Sequence, residues 1–302
     1  MKKTKAYLNA ARLRTLPLSV SGIITGSAVA LIDHAFDIQI FLLAIITTIG
    51  FQVLSNFAND YGDGVKGTDN EERIGPARAM QSGLLTASEL KAAIVITGVI
   101  SLLSAMILIY LAFGTDYLWY ALLFFILGLI SVMAAITYTV GRSAYGYRGL
   151  GDLFVFLFFG LLAVVGCYFL YTKALTVEVF LPAVTIGFFS VGVLNLNNMR
   201  DIKSDRNAGK ITLAVKMGIN KARTYHYVLV VAGMLSSLYF AYLNFSSWFN
   251  FLFVLSFIPL GLHLKRVADS KDPSVLDKEL KPLALSTFLF SILFMTGFNI
   301  FL

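Results

Sequence analysis

The chain has 302 residues, 58% hydrophobic and 14% charged, with a formal net charge of +7. Soluble domains carry roughly 25% charged residues, so this composition excludes an ordinary soluble enzyme and predicts an integral membrane protein. Long apolar runs favour helices, which satisfy their own backbone hydrogen bonds in lipid, over a barrel of short alternating strands.

A crossing needs about 20 mainly apolar residues. In chain order the hydropathy predicts nine spans: Leu16 to Leu31, Ile38 to Asn56, Ala92 to Phe113, Leu118 to Val140, Leu153 to Tyr171, Val179 to Asn198, Tyr225 to Leu243, Trp248 to Leu264 and Leu283 to Leu302. The eighth is short and is interrupted by Pro259 and Gly261. The basic start MKKTKAYLNAARLRTLPLS lacks a small-residue cleavage site, so the first apolar run reads as a retained span. The single cysteine, Cys167, excludes an intrachain disulfide.

Of the 24 Lys and Arg, all but Lys173 fall at the N-terminus or in the loops after spans two, four, six and eight. Positive residues accumulate on the cytoplasmic side. This predicts a cytoplasmic N-terminus and explains the net charge as a topology signal, with no nucleic-acid partner. The whole chain, 1–302, reads as one polytopic domain of a bacterial inner membrane. Spans one to six hint at a loose duplication, in which an even-numbered span ends in Asn and Asp and a basic loop follows.

Two polar stripes stand out against this apolar background. Asn56, Asp60 and Asp63 recur at i, i+4 and i+7, one face of a helix. Asn198, Asp201 and Asp205 recur at i, i+3 and i+7. Asp69, Arg73 and Arg78 follow the first stripe in a Gly-containing loop. Acids at the mouth of a membrane bundle are costly unless paired or solvated, so they are functional candidates. Asp152 is a further acid near the same face. Carboxylates with a side-chain amide are hard oxygen donors suited to Mg²⁺, which binds through one or two carboxylates plus water and substrate phosphates. Arg73, Arg78, Arg142, Arg200 and Lys210 are available to neutralise a diphosphate. Together these point to ionisation of an allylic diphosphate, with aromatic faces of Tyr138, Tyr145, Tyr147 or some of the 26 Phe beside the cation. A cation-coupled transporter is the rival reading. The acids lie near one face, whereas transporters usually bind substrate at the midplane.

Other motifs carry less. His34, His226 and His263 are not expected to cluster, and no zinc or Ser-His-Asp spacing is present. Glu279 reads as a solvated loop charge. GRSAYGYRGLG and KMGIN lack the strand-to-helix context of a phosphate loop.

At the two stripes the sequence resembles the UbiA superfamily of intramembrane prenyltransferases. The carrying strings are RLRTLPLSVSGIITG, SNFANDYGDGVKGTDNEERIGPARAMQSG, YTVGRSAYGYRGLGDLFVFLFFG and NNMRDIKSDRNAGKITLAVKMG. The resemblance implies an all-α, nine-helix bundle with Mg²⁺ as cofactor. Within it, the wording is similar to the branch that uses 1,4-dihydroxy-2-naphthoate as acceptor and a polyprenyl diphosphate as donor. That branch releases CO₂ and diphosphate and forms demethylmenaquinone for menaquinone synthesis. The alternative is another acceptor, such as 4-hydroxybenzoate. Carried over by motif, Asn56, Asp60, Asp201 and Asp205 would hold metal and diphosphate, with Asn198 in support. Arg78, Arg142 and Lys210 would contact diphosphate, and Tyr138 would line the cation or acceptor pocket. One departure is Gly64, where the family spacing has an acid, which leaves Asp63 and Asp69 as alternative third ligands.

Overall fold

The computed structural model describes residues 2–68, 74–75, 77–270 and 272–300. Every regular element in them is helical. Among the described residues, nine helical segments are long and apolar enough to cross a membrane. α1 (Lys2–Ala11) leads through a short 3₁₀ turn into α2 (Leu16–Ile32), and the two together form the first segment. α3 (Ile38–Lys66), α4 (Ala87–Phe113) and α5 (Leu118–Thr137) follow. The fifth span, Gly151–Thr172, is composite: α6 (Gly151–Val155), a π-helical stretch Phe156–Gly166, and α7 (Cys167–Thr172). α8 (Phe180–Arg200) is joined by the short α9 (Ile202–Asn207) and α10 (Leu213–Met217) to α11 (Ile219–Leu243). A 3₁₀ stretch, Trp248–Ser256, then runs into α12 (Phe257–Asp269), and α13 (Asp277–Asn299) ends the bundle.

The ends of these elements follow local chemistry. Asp37 caps α3, its carboxylate accepting from the Gln39 and Ile40 amides. Thr86 and Glu89 form a reciprocal capping box on α4, and Lys3 reaches Glu89 at 2.5 Å, tying α1 to it. α3 is longer than the hydropathy predicts. Its 29 residues extend roughly 44 Å at 1.5 Å per residue, beyond a hydrocarbon core of about 30 Å. Asn56, Asp60 and Asp63 therefore ride one continuous helix out of the apolar zone. α13 likewise begins before the expected Leu283, with Pro282 accommodated inside it. The eighth segment starts as 3₁₀ helix and becomes α-helical just before Pro259.

In lipid, helices associate through close packing of small residues. A side-chain carbon built at Gly160 would lie 2.8 Å from Gly187 Cα, and one at Gly22 would lie 2.5 Å from Ala163 Cβ. These contacts press α2, the fifth span and α8 together. The same core continues through Phe240, Phe253, Phe290 and Phe294, which join α11, the 3₁₀ stretch and α13.

Two expectations from the sequence are corrected here. His226 and His263 are fully buried with their Nε2 atoms 2.9 Å apart, so two of the three histidines do pair. Glu279 is not a solvated loop charge but is buried: it bonds His263 Nδ1 at 2.8 Å and accepts from Arg266 Nε at 2.6 Å. The sequence spacing shows neither contact, because both depend on how α11, α12 and α13 are rotated against one another.

Candidate active site

The C-terminal end of α3 and the α8–α9 junction meet at the end of the bundle that carries most of the charge. Between them lies a small polar cavity of about 20 Å³ walled by Asp63, Asp201, Asp205 and Lys210, with Arg78 and Asn197 also on its wall. All three carboxylates are buried. Lys210 Nζ stands 4.0 Å from Asp63 and 3.7 Å from Asp205. It therefore bridges the two stripes electrostatically.

Local folding explains that placement. Just past the end of α9 stands Gly209, whose φ of +71° is the left-handed conformation that glycine adopts without strain. The chain turns back there, and the Lys210 amide bonds the Asp205 carbonyl at 2.8 Å. Next, the Ile211 amide bonds the Tyr147 carbonyl, tying this turn to the loop after α5. Tyr147 closes the other side. Its hydroxyl donates to Asp63 at 2.7 Å and lies 2.5 Å from Thr68 Oγ1, and its ring carries Lys66 at 4.0 Å and Lys210 at 5.5 Å. Asp201 is held by its neighbour Arg200, through Nε at 2.8 Å and through Nη2. Arg200 also bonds Asp277 and Asn197, so its charge is shared.

Burial pushes the Asp205 carboxyl up to about 6, opposed by Lys210 and reinforced by Asp201 and Asp63. For Lys210, burial disfavours the ammonium, but Asp63 and Asp205 outweigh it and hold its pKa above the ordinary lysine value. The three acids meet two cations on the cavity wall, Lys210 and Arg78, and Asp201 is paired from behind by Arg200.

The structure separates the remaining candidates. Asp60 does not line this cavity. Its carboxylate accepts from the Ala79 amide at 3.1 Å and the Met80 amide at 3.3 Å, folding the loop that bears Arg78 back onto α3. Asn56 donates to the Ala11 carbonyl at 2.8 Å and fixes the end of α1. Asn198 is buried and lines neither cavity, and Arg142 is exposed. Asp152 is buried beside Tyr225. Asp69 and Arg73 lie outside the described residues. Gly64 has a steric reason: a side-chain carbon there would meet Met80 Sδ at 2.7 Å.

Sequence reasoning missed Asn59 and Asn197. Asn59 precedes Asp63 by four residues, as Asn197 precedes Asp201. That identical spacing was the available signal. Asn197 lines the polar cavity, and Asn59 lines a larger one.

The larger cavity, of about 340 Å³, runs between α3, α5 and the fifth span. Its walls are mainly apolar and aromatic, and Gln52, Asn56 and Asn59 are among its polar residues. Tyr138 sits where the two cavities adjoin: it lines the larger one, and its hydroxyl interacts electrostatically with Lys210 and Asp63 in the smaller. Its ring meets Tyr145 edge-on at 5.2 Å, and Tyr145 stacks on Phe154 at 4.0 Å. Gly146 and Gly151 make room for this ring, since side-chain carbons there would lie 2.9 Å and 3.3 Å from Tyr138 Cε2. The Gly-rich string thus packs an aromatic ring.

A buried polar cluster near an apolar cavity walled by aromatic faces suits a charged head with a long apolar tail. Among the described residues, no three His, Cys, Asp or Glu side chains converge to enclose a metal ion. The buried carboxylates of Asp63, Asp201 and Asp205 with the Asn197 amide are instead an open set of hard oxygens. Such a set fits Mg²⁺, which keeps water and substrate oxygens in its shell.

The model of the UbiA prenyltransferase family matches residues 19–298. The chain is 44% identical to the 1,4-dihydroxy-2-naphthoate octaprenyltransferase of Haemophilus influenzae, over 98% of this chain and 96% of that protein. It is 42% identical to the enzyme of the same name from Escherichia coli, over 98% and 96%. Among solved structures, the fold matches an apo UbiA homolog from Aeropyrum pernix with a TM-score of 0.69 at 16% identity, covering 96% of this chain and 98% of that one. It also matches a UbiA homolog from Archaeoglobus fulgidus bound to DMAPP and Mg²⁺, with a TM-score of 0.65 at 14% identity, covering 98% and 100%. The chain belongs to the UbiA prenyltransferase family.

Proposed function

We propose that the chain, as one domain in a bacterial inner membrane, transfers a polyprenyl group from its diphosphate to 1,4-dihydroxy-2-naphthoate in menaquinone synthesis. The observation that carries this reading is the near full-length similarity to two enzymes of that name. The polar cavity with Lys210 between Asp63 and Asp205 supports it chemically. The Lys and Arg bias supports a cytoplasmic N-terminus and a site at the cytoplasmic face.

Asp63, Asp201 and Asp205, with Asn59 and Asn197, would hold Mg²⁺. When bound, the metal supplies positive charge that stabilises the departing diphosphate. Lys210 and Arg78 are placed to take phosphate oxygens, and Lys210 keeps its proton throughout because the two acids hold it charged. The Tyr138, Tyr145 and Phe154 faces line the path of the allylic carbon as its C–O bond breaks. The apolar walls exclude water, which would otherwise capture the cation. The acceptor's carboxylate-bearing ring carbon forms the new bond. Loss of CO₂ then returns its bonding electrons to the ring, giving demethylmenaquinone in its quinol form without a protein base at that carbon.

The test is competition between acceptors. Membranes containing the protein would receive Mg²⁺, a polyprenyl diphosphate and equal dihydroxynaphthoate and 4-hydroxybenzoate. Prenylation of the naphthoate is expected. Consumption of 4-hydroxybenzoate instead would overturn the assignment.

A further inference from the structure

α5 is the least enclosed helix of the bundle, its most apolar window only 11% buried. It packs on α3 and α4, while the fifth span packs on α2 and α8. The larger cavity fills the seam between them: Phe124, Gly128 and Ser131 from α5 face Phe158, Leu162 and Gly166. At the end of this seam away from the charged site, α7 packs on α3 and α4, and aromatic rings close it. Phe124 lies 5.1 Å from Phe113 and 5.8 Å from Phe169, and a ring carbon of Phe124 is 3.9 Å from the carbon that would be added at Gly166.

Gly128 stands on the same face of α5, one turn nearer the site than Phe124. It is in mid-helix, where glycine is a poor helix former, and membrane helices usually use glycine to let another backbone approach. No backbone approaches here: a side-chain carbon at Gly128 would meet nothing within 4 Å. The missing side chain leaves open space at the cavity wall. Gly261 has equally open surroundings, but it is exposed and lines neither of the two cavities.

From Tyr138 to Gly128 is ten residues of chain, roughly 15 Å at 1.5 Å per residue. A prenyl chain of a few units fits between the site and the Phe124 plug. A chain of eight units is longer, when extended, than the bilayer's apolar core of about 30 Å, so it has to leave the bundle sideways. We infer that Gly128 is the passage by which the tail of a long prenyl donor leaves the cavity between α5 and the fifth span, and that it sets which donor lengths are accepted. This rests on the prenyltransferase reading above.

The experiment measures kcat/KM for geranyl and octaprenyl diphosphate with the unaltered protein and with Gly128→Leu, Gly128→Phe and Gly261→Phe. The two Gly128 variants are expected to lower the octaprenyl-to-geranyl ratio at least tenfold, Phe more than Leu, mostly through KM. Gly261→Phe is expected to leave the ratio within twofold. Equal losses for both donors in both Gly128 variants, or an unchanged ratio, would overturn the inference while leaving the activity in place. No product from either donor with the unaltered protein would overturn the activity and the inference together.

Discussion

Lys210 Nζ lies 3.7 Å from the Asp205 carboxylate, with both side chains almost wholly buried. The pair joins the turn after α9 to a site whose opposite wall, Asp63, comes from α3, 4.0 Å from the same ammonium. A single cation thus couples two stripes that are far apart in the chain.

Removing that cation is expected to damage both function and fold. Lys210→Met leaves Asp63 and Asp205 facing each other uncompensated, and losing one partner of a buried pair costs about 3–5 kcal/mol. Turnover should fall at least roughly a hundredfold, as when a preorganised charge partner is removed from a site. Thermal unfolding in detergent and initial rates check the two arms. Addition of Mg²⁺ should restore part of the stability and little of the rate.

The pH dependence of the metal-free protein follows from Asp205. Its folded pKa is about 6, above the ordinary value of 3.8. The native state therefore binds this proton more tightly than the unfolded chain does. Stability from this group is fully present below 3.8 and is lost as pH rises from there through about 6. Melts across that window are expected to show the decline in the unaltered chain and a flatter profile in Asp205→Asn. Bound Mg²⁺ favours the carboxylate and should abolish the decline.

Asp60 and Asp63 are separable by substitution. Asp60 holds the loop bearing Arg78 through two backbone amides, so Asp60→Asn, which keeps an acceptor oxygen, should retain more activity than Asp60→Ala. Asp63→Asn keeps the shape but removes the charge beside Lys210, and should fall well below Asp60→Asn with a raised Mg²⁺ requirement. Rates measured over a Mg²⁺ titration distinguish the two.

The buried His226–His263–Glu279 chain, met at its outer end by the exposed Arg266, lies apart from the cavities, so its disruption should appear in stability. Glu279→Ala leaves the buried His263 Nδ1 without its partner and is expected to destabilise by about 1–3 kcal/mol, read as a lower melting temperature. KM for both substrates should stay within twofold.

Tyr138 faces the larger cavity with its ring, so Tyr138→Phe should keep most of the turnover. Tyr138→Leu removes the aromatic face. A desolvated cation–π contact is worth about 2 kcal/mol, a loss on the order of thirtyfold in kcat.

The spans could be read from the sequence because a crossing segment has to be long and apolar whatever its neighbours are. The site was only partly legible. Asp63, Asp201 and Asp205 stand out by spacing, and Lys210 by lying next to them in sequence. Asn56 and Asp60 share the four-residue spacing of Asn59 and Asp63, and spacing alone does not say which of the two acids faces the α8–α9 junction. That depends on the rotation of α3, set by the packing of α1 and the loop pinned to Asp60. Tyr147 and Thr68 came from loops without periodicity. The His226–His263 contact joins two helices at positions that neither helix's own pattern marks.

The most direct measurement follows dihydroxynaphthoate labelled at its carboxyl carbon, in membranes containing the protein, with polyprenyl diphosphate and Mg²⁺. One labelled CO₂ and one diphosphate are expected for each prenylated naphthoquinol formed, and all three should fall together in Asp63→Asn. Prenylated product that retains the labelled carboxyl, or full turnover in Asp63→Asn, would contradict the account.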